Sequence, residues 1–69
     1  MKLTPKEREY LDFIKAYQAS HGGLGPSYLD IIDALETTQS TAQDYMERLK
    51  DKGAVKWPKR LLRKITVLK

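Results

Sequence analysis

Cysteine and asparagine are absent from this 69-residue chain, histidine and tryptophan occur once each, and apolar runs stop after a few residues. Without cysteine there is no disulfide framework, no thiol nucleophile and no thiolate metal site. His21 alone cannot supply a two-histidine zinc site from this chain. No stretch approaches the roughly 20 apolar residues that a membrane-spanning helix needs. The opening Met1 to Pro5 lacks the apolar segment of a signal peptide. What remains is 41% apolar and 32% charged, the balance of an ordinary folded chain. The expectation is one soluble, cytoplasmic domain over residues 1–69, with a core near the small end of what folds unaided and no cofactor.

Acidic residues are also missing from one end. The first 53 residues carry seven basic and nine acidic groups. The last sixteen carry Lys56, Lys59, Arg60, Arg63, Lys64 and Lys69 and no acid. The net charge of +4 is therefore the work of one short stretch. Such an asymmetry fits a surface that faces phosphates, or else a solvated basic tail.

Thr4-Pro5-Lys6-Glu7 reads as a capping box with proline at the first helical position. Tyr10, Leu11, Phe13, Ile14 and Tyr17 recur at helical spacing, and His21-Gly22-Gly23 supplies a stop. Ser27 followed by Asp30 opens a second helix of about two turns, with Tyr28, Ile31, Ile32 and Leu35 on its apolar face. Glu36 to Gln39 break the pattern. A third helix carries Ala42, Tyr45, Met46 and Leu49 inward, capped by Thr38 or by Ser40 with Gln43, and ends at Gly53. Ala54 to Trp57 and Lys64 to Leu68 are strand-like, joined by a loop over 58–63. The predicted class is mainly α with a small β-hairpin.

A short helix, a turn of about four residues and a longer amphipathic helix form a helix-turn-helix, and the basic hairpin behind them adds a wing. The chain resembles the N-terminal DNA-binding domain of LexA-type SOS repressors over essentially its whole length. The matching stretches are Leu3-Thr4, Gly25-Pro26-Ser27, Ser40-Thr41, Leu49, Lys52-Gly53 and Arg63 through Leu68. The resemblance implies a three-helix winged fold, sequence-specific binding of double-stranded DNA, and a bacterial or phage setting on the nucleoid. Three departures stand out. The family's usual glycine between helices two and three is Glu36 here. LexA-type repressors continue into a dimerising, self-cleaving domain, whereas this chain ends at Lys69, so the expectation is a regulator without that activity. The wing, usually polar, holds Trp57, Leu61 and Leu62, which either fold back on the core or offer an apolar patch.

In this frame Gln39, Ser40, Thr41, Gln43 and Asp44 are the expected base readers. Glutamine pairs with adenine, the hydroxyls with several edges, and Asp with cytosine N4–H. The competing reading is that Ser40 and Gln43 only cap the helix. Ser27 and Tyr28 are expected on phosphate at the amide end of helix two, and Lys56, Lys59, Arg60, Arg63 and Lys64 along the backbone or minor groove. Arg63 matches a wing position of the family. Asp30, Asp33 and Glu36 are read as a solvated acidic face rather than a cation site, since no loop oxygens accompany them. His21 suits a helix end, no serine has a sequence-evident histidine partner, and the missing asparagine removes a homeodomain reading. No enzyme is expected. The isolated chain is expected to be monomeric, two copies pairing on a palindromic site. The rival reading is a winged-helix module that binds another regulator protein.

Overall fold

A computed structural model describes residues 2–58 and 61–68. Helix α1 spans Pro5–Ser20, α2 Tyr28–Leu35 and α3 Gln39–Asp51; strands β1 (Val55–Lys56) and β2 (Thr66–Val67) follow, with a 3-10 turn over Leu62–Lys64 between them. This is a winged helix-turn-helix.

Each helix begins where local chemistry dictates. Thr4 Oγ1 accepts from the Glu7 amide at 3.2 Å, and Glu7 Oε1 accepts from the Thr4 amide at 2.8 Å. That places Glu7 in the interior at 1% exposure, where an unpaired carboxylate would be costly. Lys52, just past the end of α3, answers it: Nζ lies 2.6 Å from Glu7 Oε1 and donates to the Lys2 carbonyl at 3.1 Å. The Lys52 ammonium, together with the Thr4 amide, holds the Glu7 carboxyl below the usual carboxylate range. The start of α1 and the end of α3 are thereby clasped.

The apolar ridges meet in one core of Leu11, Ile14, Ile31, Ala42, Met46 and Leu49, closed by Ala54, Val55, Leu62 and Ile65 from the wing. Full burial of each large aliphatic side chain contributes roughly 1.5–3 kcal/mol, so these few residues hold the three helices at fixed angles. Tyr10 stacks on Tyr45 at 4.7 Å between ring centres, binding α1 to α3 a second time. Between α2 and α3, Glu36 and Thr37 both donate their amides to the Ile32 carbonyl, and Glu36 takes the left-handed conformation with φ 50° and ψ 54°. Glycine would adopt it without strain.

The hairpin is shorter than its β-branched composition predicts. Among the described residues, Val55 pairs with Val67 and Lys56 with Thr66, antiparallel, and no further pair forms. Lys64 and Ile65, expected in the second strand, leave the ladder because Leu62 and Ile65 turn inward to finish the core. Burial at three-residue spacing selects a 3-10 turn over an extended strand. The apolar wing residues accordingly divide: Leu62 is buried, Trp57 is half-buried beneath Lys50, whose Nζ lies 5.2 Å from its ring centre, and Leu61 stays exposed. The return limb is pinned from outside the hairpin, by the Gly25 amide on the Arg63 carbonyl at 2.8 Å and by Gln18 Nε2 on the Ile65 carbonyl at 2.8 Å. A Cβ on Gly25 would run into Ile65 Cγ2 and the Leu62 carbonyl, so only glycine permits this approach.

Candidate nucleic-acid interface

The start of α3 is built by Thr38, not Ser40. Thr38 Oγ1 accepts from the Thr41 amide at 3.3 Å and donates to Thr41 Oγ1 at 3.0 Å. The second capping box, Ser40 with Gln43, does not form, because the helix has already begun at Gln39. Both side chains are thus released from capping duty. Gln39, Ser40, Thr41, Gln43 and Asp44 are all exposed, while Ala42, Met46 and Leu49 on the opposite ridge are completely buried. One turn and a half of polar, outward side chains therefore rides on an immobile apolar base.

A second group gathers at the amide end of α2. Ser27 caps the helix, accepting from the Asp30 amide at 3.2 Å, while Asp30 Oδ2 accepts from the Ser27 amide at 2.9 Å and from Ser27 Oγ at 3.0 Å. The same oxygen accepts from the Tyr17 hydroxyl at 3.1 Å and lies 3.6 Å from Arg63 Nη2. The Ser27 amide first, then the Ser27 and Tyr17 hydroxyls and the Arg63 charge, hold the Asp30 carboxyl below its usual range. Asp30 is thus a junction of α1, α2 and the wing rather than one member of a solvated acidic row. Through it Arg63 is brought to the helix end, and Ser27, Tyr28, Leu61, Leu62 and Arg63 line one groove of about 400 Å³. Tyr28 is half-buried there; burial, and then the Glu47 carboxylate, push its phenol above the usual value, so its hydroxyl stays a donor.

Lys56 and Lys64 are exposed on the hairpin and border another groove, of about 310 Å³, with Trp57, Pro58 and Thr66. Lys59 and Arg60, the remaining expected wing contacts, lie outside the described residues. The structure therefore places Ser27, Tyr28 and Arg63 together, Lys56 and Lys64 together, and the five expected readers on the opening turns of α3.

Two participants escaped sequence reasoning. The sequence shows Asp30 only as a cap and an acid, because its contacts with Tyr17 and Arg63 span distant parts of the chain. Arg48 sits on the same ridge as Ser40 and Asp44, with Nη2 3.0 Å from Asp44 Oδ2 and Cζ 5.2 Å from the centre of the Tyr45 ring. The four-residue spacing of Asp44 and Arg48 was the available signal.

A polar helix face on a helix-turn-helix, flanked by a cationic wing, is the geometry of a duplex reader. Comparison with family models gives a match to the LexA DNA binding domain over residues 1–63. The chain belongs to the LexA DNA-binding domain family. A search of curated proteins returned no match. The LexA match ends at Arg63, so the described part of the wing's return limb beyond it is defined by the contacts above rather than by the family pattern. Membership assigns double-stranded DNA as the partner, and the LexA domain is a non-catalytic DNA-binding module. Among the described residues no helix is long and apolar enough to cross a membrane.

Proposed function

We propose that residues 1–69 act as a single sequence-specific DNA-binding domain of a transcriptional repressor or regulator, reading the major groove with the opening turns of α3. The observation that carries this reading is the exposed set Gln39, Ser40, Thr41, Gln43 and Asp44 above a fully buried ridge. A rigid helix holding short polar side chains outward can hold donors and acceptors against base edges at hydrogen-bond distance. The outward face also carries Glu47 and Asp51, which repel phosphates, so attraction must come from elsewhere. Arg63, Lys56 and Lys64, with Lys59 and Arg60 by sequence, supply it along the flanking backbone. Tyr28 adds a contact to one phosphate at the amide end of α2, where its groove with Arg63 opens, and Ser27 joins it by turning its hydroxyl from Asp30. The chain is a monomer in solution, and two copies side by side on a palindrome gain by proximity.

One observation favours a second reading. Leu61 is 50% exposed on the rim of the groove beside Tyr28, an apolar surface that a regulator protein could cover. Salt separates the two readings. Fluorescence anisotropy of a labelled duplex over a series of salt concentrations should show steeply falling affinity, and Arg63→Ala should flatten the log–log slope by roughly one while weakening preferred and random duplexes alike. A slope near zero, or DNA binding unchanged in both Arg63→Ala and Gln43→Ala while a protein partner is lost, supports the interaction module instead.

A further inference from the structure

We propose that Arg48 reads a guanine, and that Asp44 is the positioning residue that holds the Arg48 guanidinium ready for it. The inference rests on the DNA-reading role of α3 and assigns it a base. Ser40, Asp44 and Arg48 follow one another at four-residue intervals and form a single exposed ridge. Arg48 looks too far along the helix to read, but helical side chains lean toward the N-terminus and cover the preceding turn. The ion pair with Asp44 at 3.0 Å shows the guanidinium doing so. Its charge is thereby carried about 5 Å, close to one helical turn, nearer the reading end.

The guanidinium is held from two sides. Asp44 takes Nη2, and the Tyr45 ring lies 5.2 Å from Cζ. Tyr45 is itself immobilised by stacking on the buried Tyr10, so this second support belongs to the core. An exposed pair one turn apart adds little to stability, which leaves its effect on orientation as its main consequence. Arg48 remains 52% exposed and its planar fork matches O6 and N7 of guanine in the major groove. Asp44 is 57% exposed and keeps its second oxygen for a cytosine amino group. The pairing also cancels the Asp44 charge, which would otherwise oppose the approach of this helix to DNA.

Selection of bound sites from random duplexes, run in parallel with wild type, Arg48→Ala, Arg48→Lys, Asp44→Asn and Asp44→Glu, tests the assignment after circular dichroism has shown each variant folded. Wild type should enrich a site with a G·C pair at one fixed position. Arg48→Ala should lose that preference, with roughly 5- to 150-fold weaker binding to the selected site and little change on random duplex. Arg48→Lys should not restore it, lacking the fork. Asp44→Asn should bind random duplex at least as well as wild type, having shed a negative charge, yet discriminate less at that position; Asp44→Glu should recover part of the discrimination. Unchanged guanine preference in Arg48→Ala overturns the assignment, as does equal weakening on every duplex, which would mark a phosphate contact. Full discrimination in Asp44→Asn overturns the positioning role alone. Wild type that binds duplex but enriches no site overturns base reading by α3 altogether, and this inference with it.

Discussion

Replacing Glu36 with glycine should stabilise the chain without altering what it binds. Glu36 stands in the left-handed region, φ 50° and ψ 54°, at the turn between α2 and α3. There the Cβ of an L-residue crowds the following carbonyl oxygen at a cost of roughly 1–2 kcal/mol. Glycine removes the crowding but returns about 0.4–1 kcal/mol through the greater freedom of the unfolded chain. A carboxylate at a helix C-terminus is also opposed by the helix dipole, by about 0.3–1 kcal/mol when exposed. The net gain is about 1–1.5 kcal/mol, or a rise in Tm of roughly 4–12 °C for a domain of this size. Thermal unfolding followed by circular dichroism measures it. Glu36→Ala is the internal control, since it discharges the side chain and keeps the Cβ. The reasoning is refuted if the alanine variant matches the glycine variant, or if glycine lowers Tm. Affinity for duplex DNA should be no weaker than wild type and equal in the two variants, which shed the same negative charge.

Two further outcomes follow from the wing and the clasp. Gly25→Ala should destabilise by roughly 1–3 kcal/mol, because its Cβ meets Ile65 and the Leu62 carbonyl, and should weaken all duplexes alike by displacing Arg63; unfolding curves and anisotropy read the two effects. The folded-state carboxyl pKa values of Glu7 and Asp30 are lowered, so their stabilisation is present above the ordinary carboxylate range and lost as pH falls through the lower folded values. Tm should therefore hold steady above about pH 5 and fall below about pH 4, and Glu7→Gln should start lower and show a shallower acid limb.

Much of this architecture is local, and the local part was legible. The capping box at Thr4 and the cap at Ser27 close over three residues, and the apolar ridges announce themselves by period. The hidden part depends on residues far apart. Glu7 and Lys52 are 45 positions apart, and Gln18 and Ile65 are 47 apart, so neither contact leaves a pattern within a window of sequence. The 3-10 turn was hidden for a related reason, since Leu62 reads as a loop residue and Ile65 as a strand residue until the core claims both. Thr38 and Ser40 offered equivalent caps two residues apart, and either choice leaves the same ridge inward; only the turn through Glu36 settles where α3 begins. The exposure of Gln39, Ser40, Thr41, Gln43 and Asp44 was legible as the complement of that ridge. The convergence of Ser27, Tyr28 and Arg63 was not, because it is fixed by Gly25 against the Arg63 backbone.

The central claim is that the opening turns of α3 distinguish one DNA sequence from another. Gln43 tests it most directly, being exposed and free of the helix cap, so that its removal leaves the fold intact. Affinities of wild type and Gln43→Ala should be measured at one salt concentration on a preferred site and on random duplex. A loss of about 1–3 kcal/mol is expected on the preferred site and much less on random DNA. Equal losses on both would contradict the claim.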